Sequence, residues 1–212
     1  MQNYTHIRQR VMPELVRAGL ITDPVCARGK LIQAAAHLFS SRGFERTTVR
    51  DLAAAVGIQS GSIFHHFKNK DEILRAVMEE TIHLNTALMR AVLEGLDEPE
   101  QRLLALIECE LQSINGVSGE AMSVLVYEWR SLSVEGQRLI LGLRDIYEAI
   151  WLDVLQQAYD SHLVRVEPFI LRRLLTGALS WTITWFRADG GLSLEQLAEK
   201  ALNMVLDPAV DS

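Results

Sequence analysis

The stretch SGSIFHHFK, residues 60–68, gathers two serines, a glycine, two histidines and a lysine around three apolar residues. Read as a helix, it sets Ile63 and Phe67 four apart and turned inward. Ser60, Gly61, Ser62, His65 and His66 are then left on the outside. Small residues at the start of such an element let its backbone approach a duplex, and the imidazoles offer hydrogen-bonding edges to bases or phosphates. The chemistry is recognition rather than catalysis. The same residues also describe a surface helix of a small bundle, with capping serines and solvated histidines.

Other reactive residues do not form a constellation. No G-x-S-x-G, phosphate-binding loop, dinucleotide fingerprint or H-E-x-x-H occurs. His37, His83 and His162 are isolated on expected helices, without Cys or carboxylate partners at ligand spacing. Cys26 and Cys109 cannot build a disulfide framework and have no neighbour at metal spacing. The expectation is a chain that is not an enzyme and carries no metal or cofactor.

The 212 residues are 49% apolar and 23% charged, values ordinary for a folded globular chain. The longest apolar runs, such as 52–58, fall far short of a membrane span. The opening MQNYTHIRQR carries charge where a secretion signal needs an apolar core, so a reducing, cytoplasmic location is expected and no membrane partner. The net charge of −6 hides an asymmetry. Residues 1–70 hold ten Lys and Arg against four acids, and the remainder hold eleven against twenty-three. A basic head on an acidic body places any polyanion at the head.

Apolar residues recur three and four apart throughout, so the fold class is all-α. The spacing predicts helices over 26–42, 49–56 (capped by Thr48 and ended by Gly57), 60–67 and 70–93. Further helices are expected over 99–115, 120–132, 134–160, 167–188 and 194–206. That makes nine, with another at about 5–18. Residues 1–24 form an N-terminal extension, 25–70 a helix-turn-helix domain and 71–212 a larger helical domain.

Two short helices joined by a glycine turn, the second followed by basic residues, are a helix-turn-helix pattern. The string from Arg28 to Leu74 closely resembles the N-terminal domain of the TetR family of transcriptional regulators. The resemblance is carried by Ala35, Phe39, Gly43-Phe44, Thr47-Thr48, Leu52-Ala53, Gly57, the residues from Gly61 to Phe64, His66-Phe67 and Lys70. It implies a recognition helix in the major groove, with Ser60, Gly61, Ser62, His65 and His66 contacting DNA. It also implies that Arg50 reaches a base or phosphate, while Lys70, Thr48, Arg28 and Lys30 meet the sugar–phosphate backbone. Position 64 is commonly Tyr in the family; Phe64 lacks that hydroxyl and can pack against sugar or against the domain core. One small head reads few bases, so a homodimer on a palindromic double-stranded operator is expected.

In the body, Ile170, Leu171, Leu174, Leu175, Ala178, Trp181 and Trp185 form one broad apolar stripe. Leu197, Ala201, Leu202, Val205 and Leu206 form another. The resemblance implies that these last two helices pair with their copies across a two-fold axis; monomer core is the alternative. It also implies a cavity for a small hydrophobic inducer, with Met89, Leu93, Leu106, Cys109 and Met122 as candidate lining. Val126, Trp129, Tyr147, Trp151, Trp181 and Trp185 complete that lining, although Met and aromatic residues fill ordinary cores equally well. The segments 127–151 and 180–202 resemble regulators that respond to acyl-CoA thioesters and related hydrophobic acids. Arg130, Arg138 and Arg144 would then face a carboxylate or phosphate, and surface pairing with acids is the simpler use of them. The family behaviour implied is repression relieved by ligand.

Overall fold

In a computed structural model of the chain, the backbone is described from Gln2 to Asp207 and the side chains from Tyr4 to Asp207. Met1 and residues 208–212, the ends of the expected first and last domains, lie outside the described residues. Among the described residues the regular elements are nine α-helices and three short 3₁₀ turns, with no strand. They are α1 (Gln2–Arg17), α2 (Ala27–Arg42), α3 (Val49–Val56), α4 (Lys70–Leu93), α5 (Pro99–Asn115), α6 (Gly119–Tyr127), α7 (Val134–Asp160), α8 (Pro168–Trp181) and α9 (Leu194–Val205). No helix among the described residues is long and apolar enough to cross a membrane.

The helix ends follow from local chemistry. Thr48 and Asp51 form a reciprocal capping box at the start of α3, and Gly57 ends that helix in the left-handed region at φ +72°. Asn69 receives the Glu72 N–H at 2.8 Å as α4 begins. Pro99 opens α5, where its missing N–H costs nothing. Ser193 and Gln196 repeat the capping box at α9.

Three expected helices differ. The one expected over 60–67 is a 3₁₀ turn, Ser60–His65, entered through Gln59 rather than capped by Ser60. Its bonds run three residues back, as from Ser62 N–H to the Gln59 carbonyl at 2.9 Å, which suits a six-residue piece. The helix expected over 120–132 stops at Tyr127 and resumes as a 3₁₀ turn, Trp129–Ser131. The helix expected over 167–188 stops at Trp181. Thr182, Ile183 and Thr184 are β-branched, and buried Thr182 turns its hydroxyl to Leu179 O at 2.6 Å while accepting from Asn115 at 2.8 Å.

The chain divides into two compact units. One comprises Met12–Leu84 and Ser118–Arg144, and so contains the head. Its core is built from Leu31, Ala35 and Phe39 of α2, Leu52 of α3, Ile63, Phe67, and Ile73 and Leu74 of α4, all nearly inaccessible. Each such Leu, Ile or Phe contributes roughly 1.5–3 kcal/mol by leaving water. The other unit comprises Met1–Val11, Asn85–Val117 and Asp145–Ser212. There α5 packs against α8 and α9, burying Leu103, Leu106 and Ile107 with Leu171, Leu175, Ala198 and Leu202.

Candidate nucleic-acid interface

In the head, α3 follows the α2–α3 loop and packs against the 3₁₀ turn Ser60–His65. Ile63 and Phe67 are each 1% exposed, so the turn is anchored from within. Phe64 beside them is 57% exposed, which removes the core-packing alternative for it. Gly61 and His65 are exposed, and Ser60, Ser62 and His66 are half-buried. Arg50 is exposed on the first turn of α3, and Lys30 is exposed on α2. The structure therefore brings most of the expected DNA-facing residues onto one small module.

Three of the expected phosphate contacts are already engaged. The Arg28 guanidinium donates to the His66 carbonyl at 2.5 Å and stacks 4.0 Å from the Phe67 ring centre. It locks the end of the recognition turn. Lys70 donates to Phe44 O at 2.8 Å and Thr47 O at 3.0 Å. The Thr48 hydroxyl donates to Asp51 at 2.6 Å, and this bond with the Thr48 N–H holds the Asp51 carboxyl below the usual carboxylate range. These three side chains shape the surface, because their donors face their own chain.

In the other unit, α8 has two faces. Leu171, Leu175 and Leu179 are buried, whereas Ile170 is 46%, Leu174 61% and Trp181 64% exposed. Gly177 and Ala178 lie on the open side. On α9, Leu202 is buried while Leu197, Ala201 and Val205 are half-buried. The expected pairing face thus loses Leu171 and Leu202, which serve their own core, and keeps Leu174, Ala178 and Trp181.

The residues expected to line a ligand cavity differ widely in exposure. Met89, Leu106 and Met122 are buried core, Leu93 is half-buried, and Val126, Trp181 and Trp185 are exposed. Arg130, Arg138 and Arg144 are exposed, and Arg144 lies 5.6 Å from the Trp129 ring centre. Tyr147 and Trp151 are tied up with each other's partner: both donate to the buried Glu110 carboxylate, Trp151 at 3.1 Å. Burial, then the neighbouring Glu110 charge, pushes the Tyr147 hydroxyl well above its ordinary range. Arg172, only 1% exposed, sits 3.7 Å from Glu110 and 3.3 Å from Glu148.

A cavity of about 430 Å³ opens in this unit. Its walls include Tyr4 and Ile7 of α1, Leu104, Ala105, Glu108 and Cys109 of α5, and Leu194. Cys109 alone of the expected lining touches it. No group of His, Cys, Asp and Glu among the described residues could hold a metal ion.

Residues 31–77 match the bacterial regulatory proteins of the tetR family, and residues 96–208 match the tetracyclin repressor-like C-terminal domain. The second match alone spans more than half of the chain. The chain belongs to the TetR family. The HTH-type transcriptional repressor KstR2 of Rhodococcus jostii is 31% identical over 187 residues, covering 85% of this chain and 89% of that protein. A crystal structure described as the superantigen pfit is 66% identical, covers 94% of this chain and 99% of the other, and superposes with a TM-score of 0.82. AibR in complex with isovaleryl coenzyme A and operator DNA is 26% identical over 84% of this chain and 97% of that one, with a TM-score of 0.76. The family relatives are transcriptional repressors, so this TetR-family chain is a DNA-binding regulator and not an enzyme.

Proposed function

We propose that this TetR-family chain is a homodimeric, cytoplasmic repressor that reads a palindromic operator and is released from it by a small hydrophobic ligand. The observation that carries the reading is the head. A buried pair, Ile63 and Phe67, presents Gly61, Phe64 and His65 outward beside Arg50. A surface that small and polar, without an acidic side chain in the turn itself, fits a major groove. Residues 25–70 act as the reading domain and 71–212 as the ligand and dimer domain. Ser60, Ser62 and His66 complete the base-facing set, with Lys30 on phosphate.

Leu174, Ala178 and Trp181 form the pairing surface, since an apolar helix face of that width is expensive to leave in water. An acyl-CoA thioester is the ligand class favoured by the similarity to AibR, which was crystallised with isovaleryl coenzyme A and operator DNA. Exposed Arg130, Arg138 and Arg144 supply cations for the phosphates of such a ligand. A superantigen activity is a second reading that rests on the description of the 66% identical structure.

The test is fluorescence anisotropy of a bound operator duplex titrated with short-chain acyl-CoAs, free coenzyme A and the free acids. Release by acyl-CoA alone is the expected result. No release by any of them would remove this ligand class.

A further inference from the structure

The loop Gly43–Thr47 carries the chain from α2 into α3, and its conformation sets where Thr48 and Arg50 point. Internally it is closed by the Thr47 N–H on the Phe44 carbonyl at 3.2 Å and the Thr47 hydroxyl on the Gly43 carbonyl at 2.9 Å, which leaves the Phe44 N–H to be satisfied from outside. Gly43 enters it at φ +86°, in the region that favours glycine. Phe44 follows, 7% exposed and packed edge-on against Phe39 with ring centres 5.2 Å apart. Both backbone groups of Phe44 are taken by charged side chains. Lys70 holds the carbonyl at 2.8 Å, and the N–H donates to Glu128 Oε1 at 3.1 Å.

Glu128 lies 84 residues away along the chain, at the break between α6 and the following 3₁₀ turn. Its other oxygen accepts from the Ser131 hydroxyl at 2.8 Å, so the carboxylate is held at both ends. Two further links join the same segment to the head. Glu120 meets His37 of α2 at 2.7 Å, and Asp71 at the start of α4 accepts from the Ser133 N–H and hydroxyl at 2.8 and 3.0 Å. Those two grip regular helices, which are rigid without them. Of these three links, that of Glu128 reaches the irregular loop, opposite the grip of Lys70 on the same residue.

We infer that Glu128 is a positioning residue for DNA recognition: its carboxylate fixes the Phe44 peptide, and through it the register of α3 and the recognition turn against the operator. This rests on the DNA-reading function of the head. A charged acceptor on a partly buried N–H is stronger than a neutral one and tolerates little displacement. A shift of the 118–133 segment would therefore reach Arg50 along the short stretch of backbone from Phe44 to Arg50 rather than through the whole helical core. Non-specific binding, which depends on phosphate contacts, does not need that register.

The test compares the full-length chain with Glu128→Ala, Glu128→Asp and Glu128→Gln on a selected operator duplex and on a scrambled duplex. Glu128→Ala and Glu128→Asp, whose shorter carboxylate falls back from the loop, are expected to lose about tenfold or more in operator affinity while scrambled-DNA affinity stays within about twofold. Glu128→Gln keeps an oxygen for Phe44 and is expected to retain most of the operator preference. The Phe44 amide should exchange faster in the first two variants and stay protected in the third. Equal losses on both duplexes, or an unchanged operator preference in Glu128→Asp, would overturn the inference. Failure of the unsubstituted chain to prefer any duplex would instead strike the DNA-reading function itself. Glu120→Ala, which cuts only the exposed link to α2, should leave the preference unchanged.

Discussion

The ammonium of Lys70 lies 2.8 Å from the carbonyl oxygen of Phe44 and 4.1 Å from the centre of its ring. A cation so placed adds a charged donor to a carbonyl that already receives the Thr47 N–H at 3.2 Å, and it lies over the ring that closes the head. Lys70→Met should therefore lower stability by about 1–3 kcal/mol in urea unfolding, the range for charge-assisted hydrogen bonds. The slope of operator affinity against salt should stay the same. A slope shallower by about one would put the ammonium on a phosphate instead.

Arg50 makes the opposite case. It is exposed on α3 and its removal should leave the fold unaffected. Arg50→Ala is expected to cost about 1–3 kcal/mol of operator binding by anisotropy, with melting unchanged. Loss of stability without loss of binding would assign it a structural role.

Much of this head was legible from residue types alone. Thr48 and Gly57 mark the ends of α3 because their chemistry is local, and the Ile63–Phe67 spacing gives the anchored face of the turn. What sequence could not supply is where a long side chain ends up. Lys70, Arg28 and Glu128 reach partners 26, 38 and 84 positions away, and nothing in their neighbours announces those partners. The buried Glu110 was closer to readable: it sits between Ile107 and Ile114 at helical spacing, on the face that α5 buries. Arg172 between Leu171 and Leu175 is the same signal on α8. A charged residue on an apolar stripe calls for a partner, and here the two found each other.

The split of α8 into two faces predicts the oligomer. Leu171 and Leu175 fill the core, while Leu174 is 61% exposed on the side that carries Gly177 and Ala178. Leu174→Glu should yield a folded monomer in analytical ultracentrifugation, and Leu171→Glu an unfolded chain. A Leu174→Glu variant that keeps the mass of the unsubstituted assembly would move the interface elsewhere.

Glu108 lines the cavity walled by α1 and α5, and burial, then the neighbouring Glu195 charge, raises its carboxyl above the usual range. A raised carboxylate binds its proton more tightly folded than unfolded. It thus opposes folding above its folded pKa and ceases to do so as pH falls through that value. Glu108→Gln should melt higher than the unsubstituted chain at pH 7, and the advantage should shrink as the medium is acidified toward the ordinary Glu range. An advantage that grows on acidification would reverse the sign of this assignment.

Selection of duplexes from a random-sequence pool by the purified full-length chain reads the base preference of the head and the symmetry of the assembly together. Enrichment of a sequence with two inverted half-sites, spaced by one helical turn of about 10 base pairs or a multiple of it, is the predicted result. A pool that remains random after repeated rounds, or a single unpaired half-site bound by one chain, would contradict it.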